Sequence, residues 1–163
     1  FISLHPKRNS FIQKLTSKIT GNSIILFKNR IQGKLIRDTL IENKKNVVYI
    51  DGDVDTKERT KFRKLVEVSD DINVVASFQT SGTGISIKRL NNLIIVSPNK
   101  SEISVPQILG RGLRKADDKT HLNAYDICDN INGNNYAWKH ALERIRIYME
   151  LGINIKFIEI DME

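Results

Sequence analysis

Apolar runs alternate with amphipathic stretches along the chain, and this alternation predicts the order of its strands and helices. Runs that are apolar at nearly every position and rich in β-branched residues predict buried strands. Stretches with apolar residues at helical spacing predict helices. The predicted strands of this kind span residues 23–27, 47–50, 72–76 and 93–96, and a fifth strand of mixed polarity is predicted at residues 122–127. The predicted helices span residues 9–19, 30–41, 55–68, 105–115 and 136–151.

Strands that alternate with helices and are apolar on both faces indicate an α/β fold, with a mainly parallel sheet covered by helices on both sides. In such sheets, ligands bind beyond the carboxyl ends of the strands. The candidate binding segments are therefore the loops that follow the strands, at residues 28–30, 51–53, 77–84, 97–101 and 126–130.

Finer patterns add local predictions. Residues 5–8 are basic and contain proline, which predicts an irregular lead-in. In the second helix, the residues predicted to face the core are Ile31, Leu35, Ile36 and Leu40. The two arginines of residues 144–146 are predicted to lie on a solvated face. Residues 153–157 alternate strictly between apolar and polar, which predicts a half-exposed edge strand after the last helix.

The predicted helix at residues 105–115 carries a stripe of strong hydrogen-bonding groups. Gln107, Arg111 and Arg114 fall at i, i+4 and i+7, on one side of the helix. Gly110 has no side chain, so another group can approach the helix closely there. Two guanidiniums in a row suit phosphate oxygens, because each offers a planar fork of donors. Taken alone, the stripe has a solvated basic face as its alternative interpretation.

The segment at residues 77–86 is a second candidate binding segment. It leaves a predicted strand and is rich in Gly, Ser and Thr. Such a loop exposes several backbone N–H groups and hydroxyls that can hold phosphate oxygens. A flexible surface turn would have the same composition, so the segment alone does not decide between the two.

Together, these segments resemble the motifs of one enzyme family. Residues 107–114 read Gln-x-x-Gly-Arg-x-x-Arg and resemble the last core motif of superfamily-2 helicases. Residues 77–86 resemble motif V, and residues 23–29 resemble motif IV. Residues 49–59 resemble the glycine turn of the family and the helix behind it. The motifs follow the order and spacing of the second RecA-like lobe.

This resemblance covers most of the chain and implies its organisation. It implies a RecA-like three-layer fold, with the helicase C-terminal lobe at residues 1–130. Residues 131–163 would form a helical and strand tail packed on the same lobe. Within the superfamily, the chain resembles a phage helicase of branch migration and fork remodelling.

The resemblance also implies roles at an ATP site. Arg114 would be the arginine finger on the γ-phosphate, and Arg111 and Gln107 would position that phosphate. Many relatives have Asp at the position of Ser86, so the role of Ser86 toward the nucleotide stays open. The residues implied to contact the nucleotide are Thr83, Gly84, Ser86 and Gly110.

A nucleic-acid track is implied at the strand ends. The second lobe of this family contacts the sugar-phosphate backbone there, and backbone contacts carry no sequence information, which suits a translocating motor. A solvated loop rim is the alternative for each position. The residues implied to contact nucleic acid are Lys28, Asn29, Arg30, Gly52, Ser77, Gln79 and Thr80.

Two motifs of the family do not occur in this sequence. It contains no Gly-x-x-x-x-Gly-Lys-Ser/Thr phosphate loop and no Asp-Glu-x-x box for Mg²⁺. The family carries both in its first lobe. We therefore expect ATP with Mg²⁺ to be held mainly by an N-terminal RecA-like lobe of the same protein, and this chain alone to be inactive.

Composition and charge add weaker indications. Lys and Arg total 26 against 19 Asp and Glu, and the net charge of +7 favours a polyanionic partner. With one cysteine, Cys128, no internal disulfide can form. The three histidines lie on unlike elements, so we expect no metal site. No apolar run reaches the ~20 residues that span a membrane.

The expected partners are branched or single-stranded DNA and the N-terminal lobe, with RNA left open and no membrane. The expected location is the cytoplasm, that of the host cell for a phage protein. The chain starts at Phe1 without Met, which predicts a piece of a longer protein. Two alternatives remain: a non-catalytic RecA-like module that binds nucleic acid or protein, and a stand-alone nucleotide-binding enzyme. The missing phosphate loop disfavours the second.

Overall fold

A computed structural model of the chain describes residues 2–81, 90–97, 109, 121–131 and 133–161. In these ranges the apolar runs form five strands, all parallel. They are β1 (Ser23–Phe27), β2 (Asn46–Ile50), β3 (Ile72–Ser77), β4 (Asn92–Ile95) and β5 (Asn123–Asp126). Their order across the sheet is β2-β3-β1-β4-β5. The chain therefore places β3 and β4 on either side of β1, which lies at the centre.

Helices follow the strands, as the periodicity predicts. A short 3₁₀ helix (Ile2–Leu4) precedes them. The α-helices are α1 (Pro6–Lys18), α2 (Arg30–Glu42), α3 (Thr56–Val68), α4 (Phe78–Ser81) and α5 (Tyr136–Glu150). The side chain of Asp55 caps α3 by accepting from the Glu58 N–H at 2.8 Å.

Each face of the sheet carries its own apolar core. On one face, Ile25 and Phe27 of β1 pack with Ile12 of α1 and with Ile36 and Leu40 of α2. On the other face, residues of β1 and β3 pack with Val66 of α3, Leu109 and Tyr148 of α5. The alternation of side chains along a strand explains how one run of apolar residues serves both cores. The predicted three-layer α/β fold is therefore confirmed.

The irregular lead-in predicted at residues 5–8 is wrong, because α1 begins at Pro6. Proline is tolerated in the first turn, and the His5 ring accepts a hydrogen bond from the Arg8 N–H. Arg8 is 2% exposed. Its guanidinium donates to Asp129 at 2.5 and 2.9 Å and to the Val96 carbonyl at 2.8 Å. These partners lie far along the sequence, so local pattern could not place Arg8 in the core.

The predicted core face of α2 is confirmed at Ile36 and Leu40, which are 2% and 0% exposed, and is wrong in the first turns of the helix. Ile31 and Leu35 are 58% and 41% exposed, whereas Gln32 is completely buried. Gln32 can occupy the core because its amide is hydrogen-bonded on both sides. Gly33 lies beside it and lets the Phe27 ring approach the helix. A hydrophobicity pattern counts Gln32 as a surface residue and so shifts the predicted stripe.

The edge strand predicted at residues 153–157 is also wrong, since residues 153–161 form no strand. Ile153 and Ile155 are partly buried against the core of the α3 face. Their alternation therefore reports which side chains contact the core. It carries no information on whether a neighbouring strand is present to pair with the backbone.

The predicted solvated face at residues 144–146 is half correct. Arg146 is exposed and pairs with Glu150 at 3.0 Å, but Arg144 is 2% exposed. The Arg144 guanidinium donates to both carboxylate oxygens of Asp126, at 2.7 and 2.8 Å. The Tyr148 hydroxyl donates to the same carboxylate at 2.8 Å. This cluster attaches α5 to the end of β5. The division of the chain at residue 130 stays a prediction.

Candidate nucleic-acid interface

Three of the candidate loops follow neighbouring strands, β2, β3 and β1. Phe27 and Ser77 are register partners, as are Ile50 and Ala76. Because the strands are parallel, their carboxyl ends lie at one edge of the sheet. The structure therefore brings the loop after Phe27, the turn after Ile50 and the segment after Ser77 to that edge.

The loop at residues 28–30 presents two cations to solvent. Lys28 and Arg30 are exposed, and Asn29 between them is partly buried. The Asn29 side chain caps α2 by accepting from the Ile31 N–H at 2.9 Å. Since α2 begins at Arg30, its N-terminus lies in this loop and adds partial positive charge there. The loop therefore has the charge that a sugar-phosphate backbone requires.

The Arg30 guanidinium lies across the turn that follows β2. It donates to the two carboxylate oxygens of Asp53 at 2.7 and 3.1 Å, and its Nε lies 3.9 Å from Asp51. The hydrogen bond and the charge of Asp53 raise the pKa of Arg30 further above its ordinary value. Gly52 lies between the two acids, and a Cβ added there would sit 3.5 Å from Arg30 Nη2. Arg30 and Gly52 therefore lie on one surface. The Nη1 and Nη2 groups of Arg30 both donate hydrogen bonds to Asp53.

The predicted residues of the third segment divide into buried and exposed positions. Ser77 and Thr80 are 9% and 5% exposed, and their hydroxyl oxygens lie 2.9 Å apart. Thr80 also donates to the Ser77 carbonyl at 2.9 Å and contacts the Ile50 carbonyl at 3.4 Å. These hydroxyls hold the start of α4 against β2 and β3. Gln79, by contrast, is exposed at the same edge.

A buried polar chain behind the loop at residues 28–30 escaped the sequence prediction. The Ser97 hydroxyl accepts from the Lys28 N–H at 3.0 Å and donates to Gln32 Oε1 at 2.9 Å. Gln32 Nε2 donates to Asn9 Oδ1 at 2.9 Å. Two features of the sequence could have drawn attention to these residues. Gln32 lies one turn after the capping Asn29, and Ser97 follows an apolar strand. Neither signal names its partner, since the partners come from distant segments.

The residues predicted on the ATP side lie outside the described residues. They are Thr83, Gly84, Ser86, Gln107, Gly110, Arg111 and Arg114. Within the same segment, Leu109 is described as a helical residue that is 3% exposed and packs on the α3 side of the sheet.

The described ranges offer neither a metal-binding cluster nor a membrane-spanning helix. No group of three or more His, Cys, Asp or Glu side chains there could hold a metal ion. No helix in those ranges has the length and apolar content to cross a membrane.

Comparison with protein families places the chain beside helicases. The model of the helicase conserved C-terminal domain matches residues 7–116. The ATP-dependent DNA helicase UvsW of Enterobacteria phage T4 is 34% identical over 164 residues, covering 91% of this chain and 33% of UvsW. The chain therefore spans about a third of the length of that relative.

Comparison with solved structures agrees. The crystal structure of T4 UvsW matches with a TM-score of 0.71 and 33% identity, over 91% of this chain and 33% of UvsW. The C-terminal domain of the DEAD-box protein Dbp5 matches with a TM-score of 0.67 at 13% identity, over 89% of this chain and 79% of the chain of that domain structure. The second match shows a shared fold alone. The predicted resemblance to the C-terminal lobe of superfamily-2 helicases, and to a phage helicase among them, is confirmed.

Proposed function

We propose that this chain, which belongs to the family of helicase conserved C-terminal domains, is the second motor lobe of an ATP-dependent DNA helicase or translocase. The observation that carries the proposal is the arrangement at one sheet edge. Lys28, Arg30, Gly52 and Gln79 are all exposed there, at the ends of three neighbouring parallel strands.

This edge would form part of the nucleic-acid track. Lys28 and Arg30 supply cations, and the N-terminus of α2 supplies a positive dipole end for phosphate. Asn29 would contact the backbone through the side of its amide that does not cap α2. Ser77 and Thr80 are buried, so they would act mainly through their backbone and by shaping the loop. Contacts of this kind read phosphates and sugars, which lets a motor move along any sequence.

The other half of the function would be an ATP site shared between two lobes. An N-terminal RecA-like lobe would hold ATP with Mg²⁺, and this lobe would supply donors to the phosphates. Arg114 would stabilise charge on the γ-phosphoryl group in the transition state, while Arg111 and Gln107 would position it. Such a finger contributes roughly 10³ to 10⁵ in rate. Thr83, Gly84, Ser86 and Gly110 would line the nucleotide side of the cleft.

Stepping would follow from closure of the two lobes. ATP binding would close the two lobes. Hydrolysis would let them open again while one lobe stays bound to the strand. Thr83, Gly84 and Ser86 follow the track residue Thr80 closely in sequence, so this segment would link the two sites. On this proposal the chain alone hydrolyses no ATP, because it supplies one side of the cleft only.

DNA is the proposed substrate, with forked or branched DNA preferred. Two observations support this substrate. The chain is 34% identical to UvsW, which is named as a DNA helicase. Its sequence also resembles that of branch-migration enzymes. A phage protein of this kind would act in the host cytoplasm.

ATPase activity tests the proposal. The full-length protein and this chain are assayed with no nucleic acid, with single-stranded DNA, with a branched DNA and with RNA. We expect DNA to stimulate the full-length protein and the chain alone to stay inactive. A full-length protein without nucleic-acid-stimulated ATPase would overturn the motor assignment and favour a non-catalytic binding module. Stimulation by RNA alone would reject the DNA substrate.

A further inference from the structure

The hydroxyl of Ser97 joins two elements behind the proposed nucleic-acid loop. Ser97 follows β4 and is 2% exposed. Its oxygen accepts from the backbone N–H of Lys28 at 3.0 Å, and its proton goes to Gln32 Oε1 at 2.9 Å. Lys28 is the first residue after β1. One buried hydroxyl therefore fixes the direction in which the chain leaves β1 and enters the loop.

Gln32 fixes the orientation of that hydroxyl in turn. Its side chain is 0% exposed, and its Nε2 donates to Asn9 Oδ1 at 2.9 Å. Asn9 Nδ2 donates to the Ser3 carbonyl at 3.1 Å, and Asn29 Nδ2 donates to Ser3 Oγ at 3.3 Å. The hydrogen bonds thus return to the loop from its other side. Lys28 is held by Ser97, which follows β4, and Asn29 is held by Ser3 of the 3₁₀ helix.

Burial alone does not require this polar chain. An apolar side chain in the place of Gln32 would fill the same space and need no partner, whereas a buried amide is costly unless each group is satisfied. What the hydrogen bonds add is a defined backbone direction at residues 28–30. A phosphate contact is sensitive to that direction, because Lys28 and Arg30 extend from this backbone.

We propose that Ser97 and Gln32 are positioning residues for nucleic-acid binding, which act by fixing the loop at residues 28–30. The inference rests on the proposed function, in which this loop contacts the sugar-phosphate backbone. Neither side chain touches the nucleic acid. Both act through the Lys28 N–H and the start of α2.

The test compares two serine substitutions in the full-length protein. Ser97→Ala removes the hydroxyl at the carboxyl end of the sheet. Ser23→Ala is the matched control, because Ser23 is 1% exposed and hydrogen-bonded at the amino end of β1. Thermal unfolding reports the structural cost of each substitution. Fluorescence anisotropy with a single-stranded oligonucleotide gives the Kd, and titration of DNA in the ATPase assay gives the half-maximal DNA concentration.

We expect Ser97→Ala to raise the Kd and the half-maximal DNA concentration by about fivefold, the effect of one lost hydrogen bond. The ATPase rate at saturating DNA should stay within about twofold. Ser23→Ala should leave the Kd unchanged even if it lowers the unfolding temperature equally. An equal Kd for Ser97→Ala and the parent protein, or equal Kd increases in both variants, would overturn the inference.

A second substitution covers the case in which Ser97→Ala fails to fold. Gln32→Met keeps the shape of the side chain and removes the acceptor of Ser97, and we expect it to raise the Kd in the same way. A folded Gln32→Met variant with the Kd of the parent protein would contradict the proposal. If the parent protein itself neither binds DNA nor responds to it, the proposed function fails. If the parent responds and the variants match it, only the inference on Ser97 and Gln32 fails.

Discussion

At the scale of single residues, the ion pair between Arg30 and Asp53 affects how strongly the proposed track binds a phosphate. Their ion pair is exposed, with 55% of the Arg30 side chain and 74% of the Asp53 side chain accessible. Exposed pairs of this kind are weak, because water screens both charges. A phosphate can therefore replace Asp53 as the partner of Arg30. In the absence of nucleic acid, Asp53 keeps the guanidinium at the edge of the sheet.

Asp53→Asn is expected to tighten binding of single-stranded DNA in the full-length protein. The substitution removes a negative charge beside the track and frees Arg30 for phosphate, so we expect the Kd to fall about two- to fivefold. Anisotropy titrations at two salt concentrations measure the change, which should be larger at low salt.

Asp38→Asn provides the matched control for charge. Asp38 is also an exposed aspartate paired with an arginine of α2, Arg37, at 2.7 Å, but it lies two turns away from the loop at residues 28–30. It should leave the Kd nearly unchanged. Equal tightening in both variants would indicate a general effect of net charge. Unchanged or weaker binding by Asp53→Asn would remove Arg30 from the track.

The thiol of Cys128 makes the stability of the chain depend on pH. Burial and the nearby charge of Asp126 raise the pKa of the Cys128 thiol from its ordinary value of 9.0 to about 12. The unfolded chain ionises this thiol first as the pH rises, so its contribution to stability is complete below about pH 9 and is lost progressively toward pH 12. Between pH 8 and pH 10.5, the unfolding temperature of the parent chain should fall further than that of the Cys128→Ala chain. Equal losses in the two proteins would contradict the raised pKa.

At the scale of elements, close packing of α2 on β1 depends on Gly33. A Cβ added at Gly33 would lie 2.7 Å from two ring carbons of Phe27, which is 0% exposed. A buried ring in a close-packed core cannot move away freely. Helix and strand would have to separate, and the loop at residues 28–30 joins them directly.

Gly33→Ala should therefore lower the free energy of unfolding by about 1–3 kcal/mol, as overpacked cores do. Urea unfolding of the variant chain measures the change. Gly52→Ala serves as the stability control, because its added Cβ would meet only an ordinary contact at 3.5 Å. A Gly33→Ala chain as stable as the parent would show that α2 can shift on β1 without cost.

The same elements show what the sequence can and cannot predict. The strand β1 and the cap at Asp55 follow from local signals, since a run of apolar residues or an acid before a helix is sufficient evidence. The buried positions of Arg8, Gln32 and Arg144 do not, because each depends on a hydrogen-bond partner from a distant segment. For the same reason Asp53 was not predicted as the partner of Arg30. Pattern predicts which loops bind, and the structure shows which hydrogen-bond partners hold the side chains of those loops.

At the scale of the whole molecule, the proposed function makes this chain one lobe of a larger motor. It matches the helicase C-terminal domain over residues 7–116 and spans 33% of the length of UvsW. The net charge of +7 fits a polyanionic partner, and the exposed cations Lys28 and Arg30 lie at one edge of the sheet. We propose that Arg114 of this lobe completes an ATP site on the other lobe.

The measurement that tests this claim most directly is DNA-stimulated ATP turnover by the full-length Arg114→Ala protein. We expect kcat to fall by at least about 10³-fold, with the unfolding temperature and the Kd for DNA close to those of the parent protein. Arg146→Ala is the control, since Arg146 is exposed and pairs with Glu150 of the same helix. It should retain parental turnover. An Arg114→Ala protein that keeps turnover within tenfold of the parent, or that loses its fold, would contradict the claim.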